Sequence, residues 1–104
     1  MSFLRKLFGL KPAPIYSEMM AKGAIILDVR TKGEFQSGHI NGSKNIPLND
    51  LYTYINKSID KNIPIITCCA SGMRSKSAKT LLRANGFDEV HNGGGWRSLK
   101  SKLK

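Results

Sequence analysis

The sequence predicts an α/β domain with a central, mainly parallel sheet of about four to five strands flanked by helices. Two continuous apolar runs, Ala24-Ile25-Ile26-Leu27 and Ile63-Pro64-Ile65-Ile66-Thr67-Cys68, read as strands buried on both faces. Amphipathic stretches fall between and after them, and strands alternating with helices imply a parallel sheet covered on both sides. A length of 104 residues holds one domain, and 40% hydrophobic content can build a core without metal or disulfide staples.

Residues 1–12 read as an N-terminal amphipathic segment ahead of a domain at 13–104. Phe3, Leu4, Leu7 and Phe8 share one side and Arg5 and Lys6 the other, a pattern suited to docking on the domain, a membrane surface or a partner. Lys11-Pro12-Ala13-Pro14 breaks it. Ser17 is expected to cap a short helix over Ser17–Ala21, with Glu18 in the first turn and Gly23 at the end. Lys32–Ser37 reads as a helical turn closed by Gly38. Asn41-Gly42 is a turn signal before a short edge-like strand, Lys44-Asn45-Ile46-Pro47. Asn49 is placed to cap a helix from about Asp50 to Lys57, where Leu51, Tyr54 and Ile55 form the apolar stripe. Pro64 stands at the start of the second strand, where a missing N–H is tolerable.

The clearest helix runs from Ser75 to Asn85, with Ala78, Leu81, Leu82 and Asn85 on one face and Gly86 as its stop. Glu89-Val90-His91 predicts a brief strand and Gly93-Gly94-Gly95 a flexible turn. Trp96, Leu99 and Leu103 mark a final helix, with Trp96 as a core anchor.

The formal net charge is +10, from 17 Lys and Arg against 7 Asp and Glu, a field that attracts small anions or acidic partners. Lys76, Lys79 and Arg83 share a helical face and Lys100, Lys102 and Lys104 the tail, but no single basic block forms and few aromatics are interleaved. That pattern argues against nucleic acid. No apolar run approaches the ~20 residues of a membrane span. The start also lacks the apolar core and small-residue cleavage site of a secretory signal, so a cytoplasmic location is expected. Adjacent cysteines fit a reducing compartment, since a bond between neighbours closes no useful loop and distorts the peptide. His39 and His91 offer no zinc-ligand spacing, so neither metal nor cofactor is expected, and His39 reads as a structural histidine.

Function in an open parallel sheet sits beyond the carboxyl ends of the strands, which is where Cys69 falls. Ala70, Ser71, Gly72 and Met73 follow it, and a helix begins near Arg74. Curled loop N–H groups, the partial charge at a helix start and the Arg74 guanidinium all favour a thiolate. Cys69 is therefore expected to titrate below the ~8.5 of a free cysteine. Gly72 supplies the backbone freedom for the turn. Cys68 ends the apolar run and reads as a small buried hydrophobe, or as a resolving partner for an oxidised Cys69.

Cys69-Ala70-Ser71-Gly72-Met73-Arg74-Ser75 resembles the C-x-x-G-x-R-S active-site loop of rhodanese-type sulfurtransferases. Leu27-Asp28-Val29-Arg30, Glu34-Phe35, Gly38-His39-Ile40, Gly42-Ser43 and Asn45-Ile46-Pro47 resemble that family's L-D-V-R…E-F…G-H-I-x-G-A-x-N-I-P segment. Gly86-Phe87 and Gly93-Gly94-Gly95-Trp96 resemble its closing features. The match runs from about Ile15 to Leu99, with departures at Lys32-Gly33 and at Ser43, where the family usually has Ala.

The resemblance implies a rhodanese fold and an enzyme. Cys69 matches the nucleophile that carries a persulfide, Ala70 to Ser75 the loop that cradles it, and Asp28 and Arg30 a polar pair under and beside the site. Read from the residues alone, Asp28 and Arg30 are equally a structural ion pair. Met73 is placed to shape which acceptor fits. The implied reaction moves sulfur from thiosulfate or a persulfide to cyanide or a thiol, with a sulfur-relay protein as a further partner. Between Cys69 and Arg74 lie four residues, whereas cysteine phosphatases use a C-x5-R loop to fit a tetrahedral phosphate; the smaller loop favours sulfur. Two alternatives stand beside the enzyme: a sulfur-carrier or interaction module with little thiosulfate activity, and a redox sensor using Cys68 and Cys69.

Overall fold

The computed structural model describes residues 15–57 and 60–103. The N-terminal amphipathic segment expected at 1–12 lies outside them. In chain order the elements are α1 (Tyr16–Ala21), β1 (Ile25–Asp28), α2 (Lys32–Gln36), β2 (Lys44–Asn45), a 3-10 turn (Leu48–Asp50), α3 (Leu51–Ile55), β3 (Ile65–Cys69), α4 (Met73–Ala84), β4 (Val90–Gly95) and α5 (Trp96–Lys102). The described strands form one sheet in the order β2-β1-β3-β4, with every pair parallel. This is the expected α/β architecture with four strands.

The two apolar runs become the central strands, β1 and β3, paired from Ile25 with Ile65 to Asp28 with Cys68. Side chains alternate along a strand, so each run feeds two cores. Leu27, Ile65 and Cys69 join Leu51, Ile55, Ala78, Leu82 and Phe87 on the face covered by α3 and α4. Ile26, Ile66 and Cys68 join Tyr16, Trp96 and Leu99 on the face covered by α1 and α5. Neighbouring cysteines therefore point to opposite sides of the sheet. Both are free and buried.

Several local expectations are corrected. The first helix starts at Tyr16 with Ile15 at its cap and no side-chain capping bond, so Ser17 lies inside the helix and does not cap it. Asn49 does not cap a helix to Lys57: it sits in the 3-10 turn, and α3 runs only from Leu51 to Ile55. The chain there tightens into a 3-10 turn first, and no side-chain oxygen meets the exposed N–H groups. The clearest helix opens two residues earlier than expected, at Met73 rather than Ser75, because left-handed Gly72 (φ +105°) turns the chain directly into it.

Gly93-Gly94-Gly95 is not a free turn but the end of β4, paired beside β3 as far as Cys69 with Gly95. The glycine at 93 is steric. A Cβ there would stand 2.8 Å from Leu99 Cδ2, 2.9 Å from Thr67 O and 3.0 Å from Ile66 Cγ2. Gly93→Ala is expected to destabilise the fold by about 1–3 kcal/mol, the usual range for overpacking. Urea unfolding reads this as a lower midpoint; an unchanged midpoint would show that β4 and α5 yield freely.

Candidate active site at the end of the third strand

Cys69 is the last residue of β3, not the first of the loop as the apolar pattern suggested, and it is 1% exposed. Its sulfur points under the turn that carries the chain into α4. Gly72 N–H donates to Sγ at 3.0 Å and Ser75 N–H at 3.3 Å. Ser75 Oγ lies 3.4 Å from Sγ. Ala70 and Ser71 form the solvent-exposed crest, and Met73, at 74% exposed, stands out from the first turn of α4. Of the loop residues read from the sequence, Gly72, Ser75 and the Ser71 backbone meet the sulfur, while Met73 stands away from it.

Burial pushes the Cys69 thiol up, but hydrogen bonds from the Ser75 side chain and from the backbone of Ser75, Gly72 and Ser71 outweigh it and bring the group below its ordinary value. Cys68 goes the other way. Burial and then the Asp28 carboxylate push it up to about 12, and Arg30 offsets only part. One thiol is shifted toward its anion and its neighbour away from it.

Arg74 is gripped by a carboxylate, and its charge still interacts favourably with an anionic Cys69. Its Nη1 and Nη2 donate to Glu34 Oε1 and Oε2 at 2.7 and 2.9 Å, a two-pronged ion pair at the surface. Its guanidinium is thus engaged by a carboxylate, and the hydrogen bonds to sulfur come from backbone and Ser75. Glu34 is also the capping residue of α2: Thr31 Oγ1 accepts from Glu34 N–H, and Glu34 Oε1 accepts from Thr31 N–H. The T-x-x-E spacing from Thr31 to Glu34 carried that signal in the sequence.

Asp28 and Arg30 form a buried pair one step back from the sulfur. Arg30 Nη2 donates to Asp28 Oδ2 at 2.7 Å and to Gly38 O at 2.7 Å, and Nη1 donates to Glu34 O at 3.2 Å. The guanidinium lies 4.8 Å from the centre of the Trp96 ring. Among the described residues neither side chain hydrogen-bonds to the Cys69 loop. Together they tie β1 to α2, and α2 holds Arg74. His39 is structural here, bonded through Nδ1 to Phe35 O at 2.7 Å and stacked on the Phe35 ring.

A family model for the rhodanese-like domain matches residues 12–102. The chain belongs to the rhodanese-like family. Among curated relatives of this rhodanese domain, thiosulfate sulfurtransferase GlpE of Ectopseudomonas mendocina is 35% identical over 75 residues, covering 72% of this chain and 68% of its own. Thiosulfate sulfurtransferase PspE of Escherichia coli is 34% identical over 74 residues, covering 70% of this chain and 71% of its own. A solved structure described as a rhodanese with anions from E. coli superposes with a TM-score of 0.68 at 32% identity, over 73% of this chain and 91% of that one. Among the described residues no helix is long and apolar enough to cross a membrane.

The sequence did not single out Asn92. From β4 its Oδ1 lies 2.6 Å from Ser75 Oγ and accepts from Gly94 N–H at 2.9 Å, while Nδ2 donates to Gly72 O at 3.3 Å. No short-range pattern marks an Asn that bonds to a loop 17 to 20 residues away.

The Arg74 pair, followed by Thr31, holds the Glu34 carboxyl down at about 2, against an ordinary 4.5. A carboxyl depressed by folding contributes stability that is whole above 4.5 and is lost as pH falls toward about 2. Carboxyl-carbon NMR is expected to find Glu34 titrating at about 2 in the native protein and moving up toward 4.5 in Arg74→Ala. An unmoved Glu34 in that variant would rule out the pair as the main cause.

Proposed function

We propose that this rhodanese domain is a sulfurtransferase in which Cys69 carries the moving sulfur. The observation that carries the proposal is the buried Cys69 Sγ accepting N–H groups from Gly72 and Ser75 at 3.0 and 3.3 Å. Such a cradle stabilises an anion on sulfur before substrate arrives and needs no general base. The names of the curated relatives support thiosulfate as the donor class.

The step balances as a pair of displacements. The Cys69 thiolate attacks the outer sulfur of thiosulfate, the S–S bond of the donor breaks with its electron pair, and sulfite leaves. Cys69 then bears a persulfide whose charge sits on the outer sulfur, among the N–H groups of the Ala70–Ser75 loop. Cyanide or a thiolate attacks that outer sulfur, the persulfide bond breaks, and the Cys69 thiolate returns as thiocyanate or a new persulfide departs. A persulfide on another protein serves as donor by the same chemistry, which makes a sulfur-relay partner a natural one. The net charge of +10 draws anionic donors toward the chain. Arg74, gripped by Glu34, fixes the first turn of α4, and Asp28 with Arg30 holds α2 behind it. Met73 at the loop mouth selects among acceptors. Two unbonded thiols suit a reducing compartment, and we place the domain in the cytoplasm.

Cys69→Ser is expected to abolish thiosulfate-to-cyanide transfer and the one-sulfur mass gain after thiosulfate treatment, while Cys68→Ser keeps both. A Cys69 adduct formed only from a persulfide-bearing protein would make the domain a carrier. Loss of two hydrogens from the pair, without a sulfur gain, would make it a redox sensor.

A further inference from the structure

The Ser75 hydroxyl has one proton and three neighbours. The residue is fully buried, and Oγ lies 2.6 Å from Asn92 Oδ1, 3.1 Å from Gly72 O and 3.4 Å from Cys69 Sγ. The Asn92 amide can face only one way. Gly94 N–H donates to the atom 2.9 Å away, so that atom is the oxygen, and an amide oxygen only accepts. While Cys69 keeps its proton, Sγ–H donates to Ser75 Oγ and Ser75 donates onward to Asn92 Oδ1. Once the sulfur is anionic it can only accept, and the Ser75 hydroxyl becomes free to donate to it.

We propose that Asn92 is a positioning residue that holds the Ser75 hydroxyl in reserve, and that Ser75 turns from Asn92 to the sulfur when Cys69 becomes a thiolate or persulfide. Only the persulfide half rests on the function proposed above. No bond between heavy atoms forms or breaks: the proton of Sγ goes to solvent, and Ser75 keeps its own while exchanging one acceptor for another. Asn92 Oδ1 retains the Gly94 N–H after the turn, so neither arrangement strands it without a partner. The exchange costs one hydrogen bond and supplies a stronger one to a charged sulfur.

The surrounding charges act beside this device, Arg74 by its attraction to an anionic Cys69. Arg74 on α4 is paired with Glu34 of α2; Cys68 is on the same strand as Cys69; Asp28 ends β1, and Arg30 lies two residues beyond it. The facing residues of β4, namely Asn92, Gly94 and Gly95, carry no charge.

Ultraviolet thiolate titration of Ser75→Ala, Asn92→Ala and the double variant tests the device. Ser75→Ala is expected to raise the Cys69 midpoint by roughly three- to tenfold in thiol-to-thiolate ratio, the effect of one lost hydrogen bond. Asn92→Ala is expected to lower it, because turning then gives up nothing. The double variant is expected to match Ser75→Ala if the effect of Asn92 runs through that hydroxyl rather than through its bond to Gly72 O. Asn92→Leu, close in shape and unable to accept, repeats the fall if Asn92→Ala loses cooperative unfolding, and Ser75→Thr restores the midpoint. A rise in both Asn92 variants, or an equal shift with Ser75 absent, overturns the proposal and leaves Asn92 as a loop strut. Failure of sulfur transfer with these shifts intact overturns the proposed function and not this device.

Discussion

The site depends on where a buried strand stops relative to the helix that follows. β3 ends on Cys69, and three residues later left-handed Gly72 sends the chain into α4. The first backbone N–H groups of a helix have no intrahelical partner. Here two of the nearby N–H groups, those of Gly72 and Ser75, are spent on Sγ. A longer loop would open the ring around a larger anion, and a strand ending one residue earlier would turn the sulfur into the opposite core.

That last constraint separates two chemically identical side chains. Period-two alternation puts Cys68 against Ile66, Trp96 and Leu99, next to the Asp28 carboxylate, where a thiolate is disfavoured. Cys69 faces α4, where donors converge. The polar network behind the site is built in series: Asp28 orients Arg30, Arg30 reaches the carbonyl of Glu34, and the Glu34 carboxylate grips Arg74. None of these charges needs to touch the sulfur to matter. They fix α2 against α4, and α4 fixes the N–H groups.

The central strands, a mainly parallel sheet of about four to five strands and the Cys69–Ser75 loop were legible because they rest on local signals: continuous apolar runs, helical stripes and one spaced motif. What was not legible depends on distance in space. The Arg74 charge was legible as an aid to the thiolate, but the grip of Glu34, 40 residues earlier, was not. Asn92 had no local mark, since its partners lie on another element. Three consecutive glycines suggested freedom, yet at position 93 the reason is lack of room beside Leu99 and Thr67. Helix ends moved at Ser17 and Asn49 because capping residues that a sequence offers need not be the ones a short helix uses.

The central claim is that the fold, ahead of any substrate, favours negative charge on one cysteine and disfavours it on the other. Thiolate absorbance followed against pH in the native protein and in Cys69→Ser tests it directly. The predicted result is a first rise with a midpoint below the ordinary 9.0, absent from Cys69→Ser, and a second only near 12 from Cys68. A first rise at or above 9.0, or one that survives in Cys69→Ser, would contradict it.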